Sequence, residues 1–100
     1  MAWYILDENN KPIRSNIVDC GEWLEKNPER KVVKQEHVDD IFVSTVFLGL
    51  DHAWPKDDVT PMLWETMIFG GEHDQYQDRY TSVEDALEGH QTALTLITKE

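Results

Sequence analysis

The chain has 100 residues, 40% of them hydrophobic, with four Trp, three Tyr and three Phe, which is enough for one hydrophobic core and too little for two; a single domain over residues 1–100 is expected. Its formal net charge of -11 is uneven: residues 1–50 hold nine acids and six bases, residues 51–100 eleven acids and three bases. A field of that sign repels phosphate backbones and anionic lipid, which argues against direct nucleic-acid or membrane-surface binding. It leaves a basic protein surface, or a divalent cation, as what the chain attracts, beside the plain role of acidic surfaces in solubility.

Ala2–Leu6 reads as a short strand. The turn formers Asp7-Glu8-Asn9-Asn10-Lys11-Pro12 bring residues 12–14 back as its hairpin partner. Asp19 with Glu22 three positions on has capping-box spacing and predicts a helix of about two turns, with Trp23 and Leu24 as contacts and Asn27-Pro28 as its stop. Cys20 is the only cysteine, so no intramolecular disulfide can form, and its place at a helix start is a weak signal for a reactive thiolate. The first residues lack the basic region and length of a signal peptide and no apolar run reaches membrane-spanning length, so a cytoplasmic location is expected.

Residues 31–38 and 41–50 flank Asp39-Asp40 and predict a tight hairpin, although neither turn residue is the glycine such turns favour. In the second strand Ile41, Val43, Thr45 and Phe47 share one face and Phe42, Ser44, Val46 and Leu48 the other. Both faces are largely apolar, so both are expected to need cover. Residues 51–61 form a long loop, and residues 62–69 and 75–80 a second hairpin across Gly70-Gly71-Glu72-His73-Asp74, where the diglycine permits positive φ. Ser82 with Asp85 opens a last helix, and Val83, Ala86, Leu87, His90, Leu94 and Ile97 fall on one of its faces.

Two strands thus discharge into acidic, histidine-bearing turns. If their ends are neighbours, Asp51, His52, Glu72, His73 and Asp74 converge with the nitrogen and oxygen donors that zinc, manganese or iron accept. Glu65 shares a strand face with Leu63, Met67 and Phe69; on a buried face it must be ion-paired, metal-bound or protonated, and a cross-strand pair with Arg79 is the simplest answer. The candidate metal set is therefore Asp51, His52, Glu65 and His73, set against a reading of solvated loop residues. Gly89-His90 reads as packing, a core histidine with one hydrogen bond beside a close backbone approach. Trp3, Trp23 and Trp64 are expected in the core; Trp54, in a loop, is the candidate contact residue, with Asp57, Asp58, Glu72, Asp74 and Asp78 as the acidic surface around it. No serine elbow or phosphate-cradling glycine loop occurs.

The strings Val43-Ser44-Thr45-Val46-Phe47-Leu48-Gly49-Leu50-Asp51-His52 and Pro61-Met62-Leu63-Trp64-Glu65-Thr66-Met67-Ile68-Phe69-Gly70-Gly71, followed by Tyr76, Arg79-Tyr80-Thr81-Ser82 and Gly89-His90, resemble a family of small uncharacterised proteins of tailed bacteriophages and prophages. The resemblance covers about residues 30–92 and implies origin more than activity, because that family has no established catalysis. By analogy, small acidic phage proteins commonly bind host proteins, some by presenting carboxylates where DNA phosphates would lie.

The expectation is an α+β fold, an antiparallel sheet of about five or six strands with the C-terminal helix packed on one face and a short N-terminal helix. Its expected role is a phage-encoded protein-binding module acting on a host protein with a basic surface, without a cofactor. The alternatives are a metal-dependent hydrolase or metal-binding protein, and a homodimeric structural or accessory phage protein.

Overall fold

The computed structural model describes residues 2–51 and 60–98. The expected α+β class holds, but the strands divide into two antiparallel sheets where one was expected. In the first sheet, β1 (Ala2–Leu6) lies between β2 (Pro12–Ser15) and β5 (Leu50–Asp51). The second has the order β3 (Val32–Val38), β4 (Ile41–Phe47), β6 (Trp64–Phe69), β7 (Gln77–Tyr80). The helices are α1 (Ile17–Lys26), α2 (Pro28–Lys31) and α3 (Val83–Thr98). No helix among the described residues is long and apolar enough to cross a membrane.

The β1–β2 turn is held by the Asp7 carboxylate, which accepts from Asn9 N at 2.8 Å and Lys11 N at 2.9 Å. Those bonds, Lys11 first, hold its pKa below the ordinary carboxylate value. α1 starts three residues ahead of expectation: Asn16 is the N-cap, accepting from Asp19 N at 2.9 Å and donating back to the Asp19 carboxylate at 2.9 Å. Asp19 is therefore the last residue of the box rather than its first. Pro28, expected as a stop, opens the single turn α2, where its fixed φ suits a first helical position.

The strand expected over residues 41–50 breaks after Phe47. Gly49 takes φ +75°, and a Cβ on it would come within 2.8 Å of the Cys20 sulfur. Its carbonyl accepts from Tyr4 N at 2.7 Å, and Leu50 then pairs with Trp3 in the other sheet. Cys20 is fully buried at this junction with its thiol 3.2 Å from the Tyr4 carbonyl, and burial pushes its pKa up. The reactive-thiolate reading is thereby overturned, because a buried neutral thiol is inert.

α3 covers one face of the four-stranded sheet with Ala86, His90, Ala93 and Ile97 buried. Leu87, expected on that face, is 47% exposed, while Ala93, not expected, is buried; small residues let the helix approach closely. Beneath lie Val43, Thr45, Phe47, Trp64, Thr66 and Ile68, all at most 1% exposed. One cluster, Leu6, Phe47, Leu63, Trp64, Tyr80 and Ala86, spans the two sheets, with Trp23 packed against it half-buried. Trp3 is only half-buried, so Trp64 alone among the described tryptophans is full core. The opposite sheet face stays half-covered: His37, Phe42 and Phe69 stack in a row at 4.5 and 6.1 Å, and Phe69 is 39% exposed.

Candidate functional site

The polar centre of the molecule arises where α3 crosses the middle of the sheet. Thr45 and Thr66 face each other across β4 and β6, and both are fully buried. A threonine strand pair fits a sheet well but leaves two hydroxyls to satisfy. They satisfy each other at 2.6 Å, and Thr45 Oγ1 also lies 2.6 Å from His90 Nδ1. His90, 1% exposed, turns Nε2 to Glu36 Oε1 at 3.0 Å, and Lys34 Nζ stands 3.4 Å from the same oxygen.

The chemistry of the end group fixes the direction of this chain. An ionised carboxylate only accepts, so His90 donates from Nε2 and accepts at Nδ1 from Thr45, which in turn accepts from Thr66. Burial, opposed by Glu36, lowers the His90 pKa and keeps the ring neutral. Desolvation alone would raise the Glu36 pKa, but the hydrogen bond from His90 and the nearby Lys34 outweigh it and the net shift is downward. Carboxylate, imidazole and hydroxyl are the components of a nucleophilic triad. Here the hydroxyl is sealed under α3 with no route for a substrate, so the assembly is a polar anchor for helix on sheet.

His90 thus makes two side-chain bonds where one hydrogen bond was expected. Glu36, Thr45 and Thr66 escaped sequence reading. The signal was a threonine at the core position of each of two pairing strands, opposite a lone histidine on an apolar helix face. Gly89 admits the aromatic ring of Tyr80, where backbone was expected: a Cβ there would overlap the Tyr80 ring and hydroxyl. Burial raises the Tyr80 pKa, opposed by the nearby Thr66 hydroxyl.

The described members of the candidate metal set lie on separate elements. Asp51 pairs with Ala2 in the three-stranded sheet. Glu65 lies near the start of β6, and His73 lies in the turn beyond its end. Among the described residues no group of three or more His, Cys, Asp or Glu is placed to hold a metal ion. Glu65 faces away from α3 and is claimed by Arg79 Nε at 3.0 Å and by the Gln77 amide, so the expected cross-strand pair is present. His52, Trp54, Asp57 and Asp58 lie outside the described residues.

The acidic surface residues are exposed as expected. Glu72 is in the β6–β7 turn; Asp74 accepts from Gly70 N at 2.6 Å; Asp78, on β7, accepts from Arg79 N at 2.9 Å. Sequence reading missed their continuation on α3, where Glu84, Asp85 and Glu88 are also exposed. Asp85 and Glu88 line a cleft of about 340 Å³ between α3 and β7, floored by Tyr80 and Gly89. The site is therefore a carboxylate-lined edge of sheet and helix. No protein-family model, curated protein or solved structure matches the chain.

Proposed function

We propose that the chain is a phage-encoded protein-binding module that acts in the bacterial cytoplasm by engaging a basic surface of a host protein, inhibiting or modulating it. The observation that supports this most is the run of exposed carboxylates Glu72, Asp74, Asp78, Glu84, Asp85 and Glu88 over the β6–β7 turn, β7 and α3. Arg79 is the sole base among the described residues from 60 onward, and it is occupied by Glu65. Uncompensated charge of one sign steers encounter with an opposite patch and rejects like-charged partners. The likeness of residues 43–52 and 61–71 to small phage proteins supports the origin and, by analogy, the host target.

The test is affinity capture from bacterial lysate with the full chain and with an Asp74→Lys, Asp78→Lys, Glu88→Lys variant. A specific partner should be held at low salt, released as salt rises, and lost by the variant. Equal capture by the variant would sink the proposal.

A further inference from the structure

Two cavities, of about 380 and 470 Å³, meet over the start of β6. Asn10, Trp64 and Val83 line both, so the two form one trough between the β1–β2 turn and the first turns of α3. The size is within the range of about 300–1,000 Å³ usual for ligand sites. The first cavity is walled by Leu6, Val33, Val83 and Leu87, and Leu87 is 47% exposed at its mouth. Trp64 is 1% exposed, yet its Nε1–H has no acceptor among the described residues. An unpaired buried donor costs about 1–3 kcal/mol, and native proteins keep few of them.

The rim is acidic. Glu8 and Glu29 border the first cavity and Glu84 the second, and none of the three has an ion-pair partner among the described residues. Arg30 is already committed: its guanidinium donates to the Asp7 carbonyl and to Asn10 Oδ1, and lies 5.2 Å over the Trp23 ring. Lys11 is the remaining cation. The trough therefore offers an apolar slot over Trp64 and surplus negative charge at its edges.

We infer that this trough seats an extended basic peptide segment of a partner protein, one apolar side chain entering the Leu6, Val33, Leu87 cavity above the Trp64 ring. In an extended chain, residues two apart project to the same side about 7 Å from each other. Lysines flanking the apolar residue at that spacing reach Glu29 and Glu84. The inference rests on the protein-binding reading and assigns the chemistry of the bound segment.

The test uses the ¹⁵N-labelled full chain, whose Trp64 indole signal is identified by its loss in Trp64→Phe. The probes are the acetylated peptide amide KSLSK and its leucine-free counterpart KSSSK. KSLSK should shift the Trp64 indole signal and saturate, with KSSSK about tenfold weaker, the scale of one buried leucine. Leu87→Lys, at an exposed position that leaves the fold intact, should weaken KSLSK by a similar factor. A Trp64 signal unmoved by KSLSK, or moved equally by KSSSK, overturns the inference. A captured host partner whose binding resists Leu87→Lys overturns the trough alone; saturable KSLSK binding by a chain that captures no partner supports the trough and sinks the acidic-edge reading.

Discussion

At the scale of single residues, the Glu36–His90–Thr45–Thr66 chain ties stability to pH. The folded-state pKa of His90 is lowered from its ordinary value of 6.5, so below that pH the unfolded chain binds more protons than the folded one. Its contribution is complete above about pH 6.5 and is lost as pH falls through and below that value. Glu36, lowered from 4.5, adds a loss of the same sign at more acid pH. Urea unfolding from pH 7.5 to 5 should show falling stability, and His90→Gln should flatten that slope while costing about 1–3 kcal/mol at pH 7.5 through the orphaned threonine hydroxyl. An identical slope in the variant would show that His90 does not carry it. The Glu65–Arg79 pair was legible beforehand because cross-strand partners follow from hairpin register. Glu36 and His90 are 54 positions apart and meet only once α3 has crossed to β3, a tertiary fact no local pattern encodes.

At the scale of elements, Gly49 is the joint at which one apolar run becomes strands of two sheets. Any side chain there meets both a left-handed backbone and the Cys20 sulfur at 2.8 Å. Gly49→Ala should destabilise the protein by about 2–4 kcal/mol. Combined with Cys20→Ala it should cost less than the sum of the two single changes, because the smaller side chain makes room; additive costs in denaturant unfolding would place the two sites out of contact. The alternation of residues 41–50 identified the core strand, and the turns at Asp39-Asp40 and Gly70-Gly71 identified both hairpins of the four-stranded sheet. It could not reveal the break, since Leu48 and Leu50 continue the apolar pattern and the bend is imposed by Tyr4 and Cys20 from distant sequence. The helix periodicity likewise found α3 but misplaced Leu87, because alanines at 86 and 93 bring the axis in on their own side.

At the scale of the whole molecule, a net charge of -11 on 100 residues sets long-range self-repulsion against the fold. The ion pairs among the described residues involve Glu22, Glu36 and Glu65, leaving most acids to the field. Raising salt from about 0.02 to 0.5 M at pH 7 should therefore lift the thermal midpoint by a few degrees, as screening removes repulsion faster than it weakens two exposed pairs and the half-buried Glu65–Arg79 pair. A midpoint that falls would mean those pairs matter more than the field. Charge sign and α+β class were open to composition and pattern. The division into two sheets was not, because it depends on β5, a strand of two residues.

The sheet margins hold one more consequence. β2 ends its sheet with Pro12 and Arg14, β3 carries Lys34 and Glu36, and β7 is only four residues long and bears Asp78 and Arg79. Proline, charge and brevity are the devices that keep exposed strands from templating one another. A chain with its strand margins blunted in this way would thus accumulate to high concentration without seeding fibrils.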